Sequence, residues 1–211
     1  MLRIVVLGAT GRTGHHVVEQ AISRGHHVTA IVRDPAKLRQ EPSGQLAVVT
    51  ADVMDPAALA PVLEGHDVVL SALGPAGNGP TTVCADGARA IAIAMPKAGL
   101  SRLLVISAAG ISSDGDEPFT RFVVKPILNR IFRHPFNDTR AMEREIGDSG
   151  LDWTFIRPPR LTDGAFTGRY RSNANGPIRR GFRISRADLA HAMLDAAADA
   201  TTVRTTLSVA S

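Results

Sequence analysis

The sequence has little of what disulfides, nucleic-acid surfaces and membrane spans require. Its 211 residues include one cysteine, Cys84, which excludes an internal disulfide and fits the reducing cytoplasm. Aromatic residues make up only 4% of the chain, and no basic stripe interleaved with aromatics is present. No apolar run approaches the roughly 18 residues that cross a bilayer. We therefore predict a cytoplasmic protein with no membrane span and no nucleic-acid partner.

Two catalytic patterns are also missing. The single tyrosine, Tyr170, is followed four residues later by Ala174 rather than by a lysine. The chain therefore lacks the Tyr-x-x-x-Lys pair, in which the tyrosine donates a proton to a carbonyl and the lysine lowers the pKa of the tyrosine. The seven histidines are scattered or adjacent and show no metal-ligand spacing, so we predict no metal site.

What the chain does have is a glycine-rich turn at residues 8–14 (GATGRTG), directly after the apolar run at 4–7. Glycine lets the backbone turn sharply and approach a ligand closely. The helix predicted next points its unpaired N–H groups and positive dipole end at that ligand. Together with a formal net charge of +4, the turn indicates a site for the pyrophosphate of a dinucleotide. The spacing is GxxGxxG rather than the standard GxGxxG, and a tight turn without a ligand is the alternative.

Apolar β-type runs alternate with helical stretches along the chain. The predicted strands are 2–7, 27–32, 46–50, 67–71, 102–106, 153–157 and 205–209. Six helices are predicted. They are 13–24, a short helix that begins at Asp34-Pro35, a helix between Asp55-Pro56 and Gly65, and helices from Thr81 or Thr82 to Lys97, from Asp138 to Gly147 and from Ser185 to Ala198. A β-hairpin is also predicted over 167–184. This alternation is typical of an α/β fold with a doubly wound, Rossmann-like parallel sheet and helices on both faces. We predict a single domain over residues 1–211.

The residue after the second predicted strand distinguishes the two nicotinamide dinucleotides. An acidic side chain there binds the 2′-hydroxyl of NAD, whereas an arginine accommodates the 2′-phosphate of NADP. Arg33 occupies this position, and Arg12 and Lys37 add positive charge. We interpret Asp34 as the N-cap of a short helix beginning at Pro35 rather than as an NAD-type carboxylate. The sequence therefore favours NADP(H) over NAD(H).

Short motifs follow one another along nearly the whole chain. They are the GATGxTG turn, Val32-Arg33-Asp34-Pro35, Asp52-Val53, Ala72-Leu73-Gly74, Pro80-Thr81-Thr82, Ser149-Gly150-Leu151, Arg157-Pro158-Pro159 and the segment 184–190 (ISRADLA). In order and spacing they resemble those of atypical short-chain dehydrogenases, and more narrowly those of the NADPH-dependent flavin reductase / biliverdin-IXβ reductase group.

The resemblance implies a role for each of these positions. The pyrophosphate would lie against Gly8, Thr10, Gly11, Thr13 and Gly14; Arg33 would pair with the 2′-phosphate; Asp52 and Val53 would meet the adenine; Leu73 and Gly74 would flank the cofactor beyond it; and Pro158-Pro159 would close over the nicotinamide end. Ser107, after the strand at 102–106, would lie near the nicotinamide as the catalytic candidate. The alternatives are that Asp52 is a turn carboxylate and that Ser107 is a buried hydroxyl with an internal partner.

The reaction implied by the resemblance is hydride transfer from NADPH to a diffusible conjugated acceptor, such as a flavin, a quinone or a tetrapyrrole. A flavin accepts hydride at N5 and needs little acid catalysis, which agrees with the missing tyrosine–lysine pair. In the reductase group a serine follows the hydroxyl residue after this strand, and a histidine follows the double proline. Here those positions are Ala108 and Arg160, which argues against biliverdin itself. Arg160 would bind an anionic group of the acceptor or pair with Asp163 at the surface.

We expect the acceptor to be bound by the segments 111–137 and 158–184. In the first of these, aromatic and aliphatic side chains are interleaved with arginine and lysine at helical spacing, and Phe119 is the candidate substrate contact. This pattern fits a helix packed on the sheet edge, a lid over the acceptor, or a helix that binds a membrane surface or a partner.

Two other functions fit the same sequence. An NADP-binding regulator without turnover, resembling nitrogen-metabolite regulators, would keep the glycine turn and lack the catalytic pair. An isomerase or epimerase is less favoured, because such enzymes usually keep the tyrosine–lysine pair. For any of these we expect a monomer or a weak homo-oligomer.

Overall fold

The computed structural model describes residues 1–111, 127 and 130–211. The strands are β1 (Arg3–Leu7), β2 (His27–Val32), β3 (Leu46–Thr50), β4 (Val68–Ser71), β5 (Arg102–Ile106), β6 (Asp152–Arg157), β7 (Arg160–Thr162), β8 (Arg171–Ala174), β9 (Arg183–Ser185) and β10 (Thr205–Ala210). The helices are α1 (Gly14–Ser23), α2 (Pro56–Leu63), α3 (Val83–Lys97), α4 (Arg133–Gly147) and α5 (Arg186–Ala198), with short 3-10 turns at Pro35–Lys37, Ala109–Ile111 and Ala200–Thr202. No described helix is long and apolar enough to span a membrane.

One eight-stranded sheet organises the chain, in the order β3-β2-β1-β4-β5-β6-β10-β8. Every neighbouring pair from β3 to β10 is parallel, and β8 joins the edge antiparallel to β10. The order reverses direction beside β1, which is the arrangement of a doubly wound α/β sheet. The predicted Rossmann-like fold is confirmed, and β7 and β9 add a small parallel pair beside it.

The core lies on both faces of the sheet. In β1, Ile4 and Val6 pack on the side of α1 and α5, whereas Val5 and Leu7 pack on the side of α2, α3 and α4. All four side chains are fully buried. A parallel strand covered on both faces needs apolar residues at every position, which explains the unbroken apolar run that precedes the glycine turn.

Three predicted helix starts are confirmed by their caps. The carboxylates of Asp34 and Asp55 each accept a hydrogen bond from the backbone N–H two residues later, at 3.1 and 2.8 Å. The hydroxyl of Ser185 accepts one from the N–H three residues later, at 2.9 Å. Each cap satisfies an N–H group that has no partner inside its own helix.

The predicted hairpin over 167–184 is wrong. β8 pairs with β10, and β9 pairs with β7, so the two strands of this segment do not pair with each other. Asn175, directly after β8, donates its N–H to the carbonyl oxygen of Thr206 at 2.7 Å, and its side-chain oxygen accepts from the N–H of Thr206 at 3.1 Å. Pro177 has no backbone N–H and so cannot donate a hydrogen bond to β8, as a residue in the second strand of a hairpin would. β8 therefore pairs with the exposed edge of β10 rather than with the segment that follows β8 in the chain.

Helix α4 begins at Arg133, five residues before the predicted start at Asp138. Pro135 lies in its first turn, where the missing N–H costs no intrahelical bond. Asp138 is buried inside the helix rather than acting as its N-cap.

Candidate functional site

Three glycines shape the turn between β1 and α1. Gly8 has a φ of +76°, a conformation that side chains disfavour, and a Cβ there would lie 2.7 Å from the carbonyl oxygen of Ala72. A Cβ on Gly14 would lie 2.0 Å from the carbonyl oxygen of Gly8, and one on Gly11 would lie 3.0 Å from it. The N–H of Gly11 donates to the same oxygen at 2.9 Å. The turn therefore has no room for a side chain at Gly8 or Gly14, whereas a Cβ on Gly11 would need the carbonyl oxygen of Gly8 to shift by a few tenths of an ångström.

The start of α1 is open. Within the described residues, Thr13 makes no side-chain cap to this helix, and the first turn holds no acidic residue. By contrast, α2 and α5 carry the caps described above. The start of α3 is filled from another helix, because the carboxylate of Asp138 accepts from the N–H groups of Cys84 and Ala85 at 3.0 and 2.9 Å. The N–H groups of His15 and His16 donate to the carbonyl oxygens of Gly11 and Thr13, at 3.2 and 3.0 Å, so it is the positive dipole end of α1, not covered by any side chain of the described residues, that suits a phosphate.

Neighbouring strands bring the predicted site residues to one edge of the sheet. Strands β1, β4, β5 and β6 are adjacent in that order, and Gly8, Leu73, Ser107 and Pro158 follow their carboxyl ends. Adjacent strands lie about 4.8 Å apart, so the four positions span about 15 Å. The structure thus places the residues predicted for the pyrophosphate and for the nicotinamide side by side.

The residues after β2 lie on the other side of the glycine turn. Asp34 caps the short 3-10 turn, as predicted, and its second carboxylate oxygen lies 3.5 Å from Nζ of Lys37. Arg12 forms an exposed ion pair with Asp163. Arg33 is exposed and makes no ion pair within the described part of the chain. Of the three cations predicted for the phosphates, Arg33 is thus the one whose charge is uncommitted.

A fourth cation, Arg39, was missed by the sequence analysis. Its guanidinium lies 3.1 Å from Nε2 of His15, and Nδ1 of His15 lies 3.1 Å from the carbonyl oxygen of Gly11. His15 is the second residue of α1 and is buried. The chain of contacts holds Arg39 near the glycine turn, although local sequence places it in a loop.

Asp52 and Val53, predicted to meet the adenine, follow β3. The carboxylate of Asp52 accepts from the N–H of Met54 at 2.9 Å, so this side chain serves the turn that leads into α2. Val53 is buried against the core. Contact of either residue with a base stays a prediction.

Ser107 belongs to a polar cluster with Glu143 of α4 and Arg157 of β6. The hydroxyl of Ser107 donates to Oε1 of Glu143 at 2.6 Å. Arg157 donates to the same carboxylate through two nitrogens, at 2.9 Å to Oε1 and 2.6 Å to Oε2. Ser107 is 7% exposed, and the side chains of Glu143 and Arg157 are 14% and 20% exposed. The sequence analysis missed Glu143. The sequence feature that pointed to it is Arg157, because a largely buried positive charge at the end of a strand needs a carboxylate partner.

Other reactive groups of the described chain have structural partners. The hydroxyl of Tyr170 donates to Asp195 at 2.7 Å, and burial and this carboxylate raise the pKa of Tyr170. Burial and the neighbouring Asp138 raise the pKa of the Cys84 thiol to about 12. No group of histidine, cysteine and carboxylate side chains suited to a metal ion occurs among these residues.

The acceptor side is described in part. Phe119 lies outside the described residues. Arg160 is exposed at the start of β7, and Asp163 pairs with Arg12 and Arg186; the surface pair between Arg160 and Asp163, one of the two alternatives, is not formed. A groove of about 770 Å³ runs between α4 and β6, with Glu143 and Arg157 among its lining residues. Its wall includes Trp153 and Phe155, whose stacked rings lie 4.3 Å apart.

Comparison with known proteins shows the family of the chain. The profile of a family described as NAD(P)H-binding matches residues 8–200. The YwnB protein of Bacillus subtilis (strain 168) is 28% identical over 200 residues, which cover 92% of this chain and 91% of YwnB.

Two solved structures share the fold over the whole chain. A short-chain dehydrogenase/reductase from Veillonella parvula DSM 2008, in complex with NADP, has a TM-score of 0.79 at 19% identity and is covered over 94% of its length. SP1627 from Streptococcus pneumoniae TIGR4, described as a candidate NADH-flavin reductase, has a TM-score of 0.73 at 23% identity and is covered over 99%. With a profile match that includes the glycine turn and covers most of its length, this chain belongs to the NAD(P)H-binding family, and the structures share its Rossmann-like fold.

Proposed function

We propose that the protein is an NADPH-dependent reductase that passes hydride directly to a diffusible conjugated acceptor such as a flavin. The start of α1, which no side chain of the described residues caps and which follows a tight turn with glycine at 8, 11 and 14, carries the proposal because it suits the cofactor phosphates. The likeness to SP1627 supports the choice of a flavin as the acceptor class. The single cysteine fits the reducing cytoplasm, where we propose that the protein works.

Arg33 gives the preference for NADPH over NADH. It follows β2, where the adenine ribose lies in this fold, and its guanidinium is exposed and uncommitted within the described residues. Arg39 adds a second positive charge toward the same turn. Arg12 contributes if the 2′-phosphate displaces its exposed pair with Asp163, which as a surface pair is weak.

The remaining contacts orient the cofactor along the strand ends. The pyrophosphate lies against Gly8, Thr10, Gly11, Thr13 and Gly14, and the adenine lies beside Asp52 and Val53. The middle of the cofactor is flanked by Leu73 and Gly74, and the nicotinamide end contacts Ser107 and Pro158. When bound, NADPH supplies the hydride. The chain contributes proximity and orientation, which suit an acceptor that needs no strong acid. Tyr170 donates its hydroxyl hydrogen to Asp195, which agrees with a proton supplied to the acceptor by water.

The acceptor meets the protein beyond Pro158. Arg160 begins β7 two residues later and is exposed, so it is placed to attract a phosphate or carboxylate of the acceptor. Phe119 is the proposed apolar contact from the segment 111–137.

A turnover assay tests the proposal. NADPH oxidation is followed by its absorbance with FMN, FAD, riboflavin and simple quinones, and NADH is run in parallel. We expect turnover with at least one acceptor and a lower KM for NADPH than for NADH. If the protein binds NADPH but every acceptor leaves oxidation at background, the reductase proposal is wrong, and a regulator that captures a protein partner is the better description.

A pair of variants shows whether turnover depends on the glycine turn. Gly11→Ala places a Cβ 3.0 Å from the carbonyl oxygen of Gly8 and is expected to raise KM for NADPH. Gly44→Ala is the matched control, because a Cβ there meets nothing within 4 Å and its φ is ordinary. Equal kinetics for both variants would contradict the proposed site.

A further inference from the structure

The hydrogens in the cluster of Ser107, Glu143 and Arg157 are assigned by the chemistry of its groups. A carboxylate accepts hydrogen bonds and donates none, and a guanidinium donates and accepts none. Arg157 already supplies two N–H groups to Glu143. The hydroxyl of Ser107, 2.6 Å from Oε1 of Glu143, therefore gives its only hydrogen to that oxygen.

The position of Ser107 is fixed from its backbone as well. Its N–H donates to the carbonyl oxygen of Ile156 at 2.7 Å, which continues the pairing of β5 with β6. Two residues later, the N–H of Ala109 donates to the carbonyl oxygen of Pro158 at 2.9 Å. Charge-assisted bonds in a largely buried setting are short and directional. The direction of the Ser107 O–H bond is thus set by Glu143, which is itself held by Arg157.

We propose that Glu143, fixed by Arg157, is a positioning residue that makes Ser107 a hydrogen-bond acceptor for the nicotinamide riboside of the bound cofactor. The oxygen of Ser107 keeps lone pairs for a neutral donor, which is either the carboxamide NH₂ or a ribose hydroxyl. Ser107 is then not the proton donor to the acceptor, because its hydrogen is committed to Glu143. The inference rests on the proposed cofactor site and does not depend on turnover.

Equilibrium binding tests the proposal without an acceptor. Dissociation constants are measured by fluorescence for NADPH and for its 3-acetylpyridine analogue, in which an acetyl group replaces the carboxamide and removes its NH₂ donor. Ser107→Ala removes the hydroxyl and leaves the pair of Glu143 and Arg157 intact. We expect it to weaken NADPH binding about 3- to 10-fold, the range of one neutral hydrogen bond.

The analogue identifies the donor. If the carboxamide is the donor, Ser107→Ala leaves the affinity for the analogue unchanged; if a ribose hydroxyl is the donor, both ligands weaken equally. Either result supports Ser107 as an acceptor. If Ser107→Ala changes neither dissociation constant, the proposal is overturned although the cofactor site stands. If the unmodified protein binds no NADPH, the proposed function and this inference fall together.

Glu143→Gln tests the positioning role. In either orientation the new NH₂ faces an N–H of Arg157, which already donates to both oxygens of Glu143, so the two-point contact that fixes residue 143 is lost. Where the NH₂ replaces Oε1 it donates to Ser107 and turns the serine hydrogen outward, which removes the fixed acceptor. We expect Glu143→Gln to weaken NADPH binding as much as Ser107→Ala does, and to have no further effect in a Ser107→Ala background. Independent, additive losses in the double variant would show a merely structural role and overturn the proposal.

Two further variants control this experiment. Glu145→Gln lies two residues along the same helix, where its partner is Arg89 at the surface, and it should leave both dissociation constants unchanged. Ser107→Thr restores a hydroxyl and should recover most of the NADPH affinity lost in Ser107→Ala. Failure of Ser107→Thr to bind better than Ser107→Ala would contradict a role for the hydroxyl.

Discussion

The starts of α1 and α3 lie at the same edge of the sheet, because both helices follow strands that end there, and they differ in what fills them. The start of α3 receives both oxygens of Asp138, a side chain that is 4% exposed and comes from α4. The start of α1 follows Gly8 and Gly11, has Gly14 as its first residue and, within the described residues, has no side chain on its N–H groups. The carboxylate at the start of α3 joins two helices, whereas the uncapped start of α1 at a strand end suits an anion.

The surroundings of α3 strengthen this contrast. Cys84, whose N–H donates to Asp138, has its thiol pKa raised to about 12 by burial and by that carboxylate. A thiol held in its neutral form is a poor nucleophile and packs as a small apolar group. The α3 start is therefore a structural junction, whereas the proposed cofactor site lies at α1 and at the ends of β5 and β6.

Removing the carboxylate that fills α3 should give the largest effect. Asp138→Ala leaves two buried N–H groups without an acceptor, and we expect it to lower the free energy of unfolding by about 2–4 kcal/mol. The dissociation constant for NADPH should stay within about twofold, since α1 is untouched. Thermal and denaturant unfolding measure the first effect, and a fluorescence titration measures the second. Asp148→Ala, an exposed change after the same helix, is the control and should cost less than about 0.5 kcal/mol.

Removing the cation beside the open start should act on binding alone. Arg33→Gln is expected to weaken NADPH binding by about 10- to 100-fold, because a charge-assisted contact with phosphate is lost. NADH lacks that phosphate, so its dissociation constant should not change. Arg3→Gln, which removes an arginine paired with Asp67 at the opposite end of β1, serves as the matched control. An equal loss for NADPH and NADH would place the 2′-phosphate elsewhere.

The smallest effects compare a capped start with the uncapped one. Ser185→Ala removes the cap of α5 and should cost about 1 kcal/mol of stability. Thr13→Ala removes no cap, and because Thr13 is buried we expect only the packing loss of its methyl group, a smaller loss of stability than for Ser185→Ala. Both changes are measured by denaturant unfolding. A loss for Thr13→Ala as large as that for Ser185→Ala would mean that the α1 start is capped in solution.

Features set by neighbours in the chain were predicted from sequence. The turn at Gly8, Gly11 and Gly14 and the caps of Asp34 and Ser185 depend on partners within a few residues, and the buried strands show as continuous apolar runs. From these local patterns one can predict the order of the strands and helices, and the edge of the sheet at which the candidate cofactor site lies. The predicted fold class and the family resemblance are confirmed.

Features set by distant partners were not predicted. Asp138 caps a helix start 53 and 54 residues away, and Glu143 binds a serine 36 residues away. The hairpin prediction failed for the same reason, because β8 pairs with the distant strand β10 and not with the next strand in the chain, β9. Which carboxylate meets which donor is decided only when the helices pack on the sheet.

Filling the open start tests the central claim most directly. Thr13→Asp brings a carboxylate to the N-terminus of α1, as Asp138 does for α3, while Thr13→Asn brings a neutral side chain of the same size. Dissociation constants for NADPH are measured for both. We expect Thr13→Asp to bind at least about 30-fold more weakly than Thr13→Asn, a difference of about 2 kcal/mol from placing like charges together. Equal affinities for the two variants would contradict a phosphate site at the start of α1.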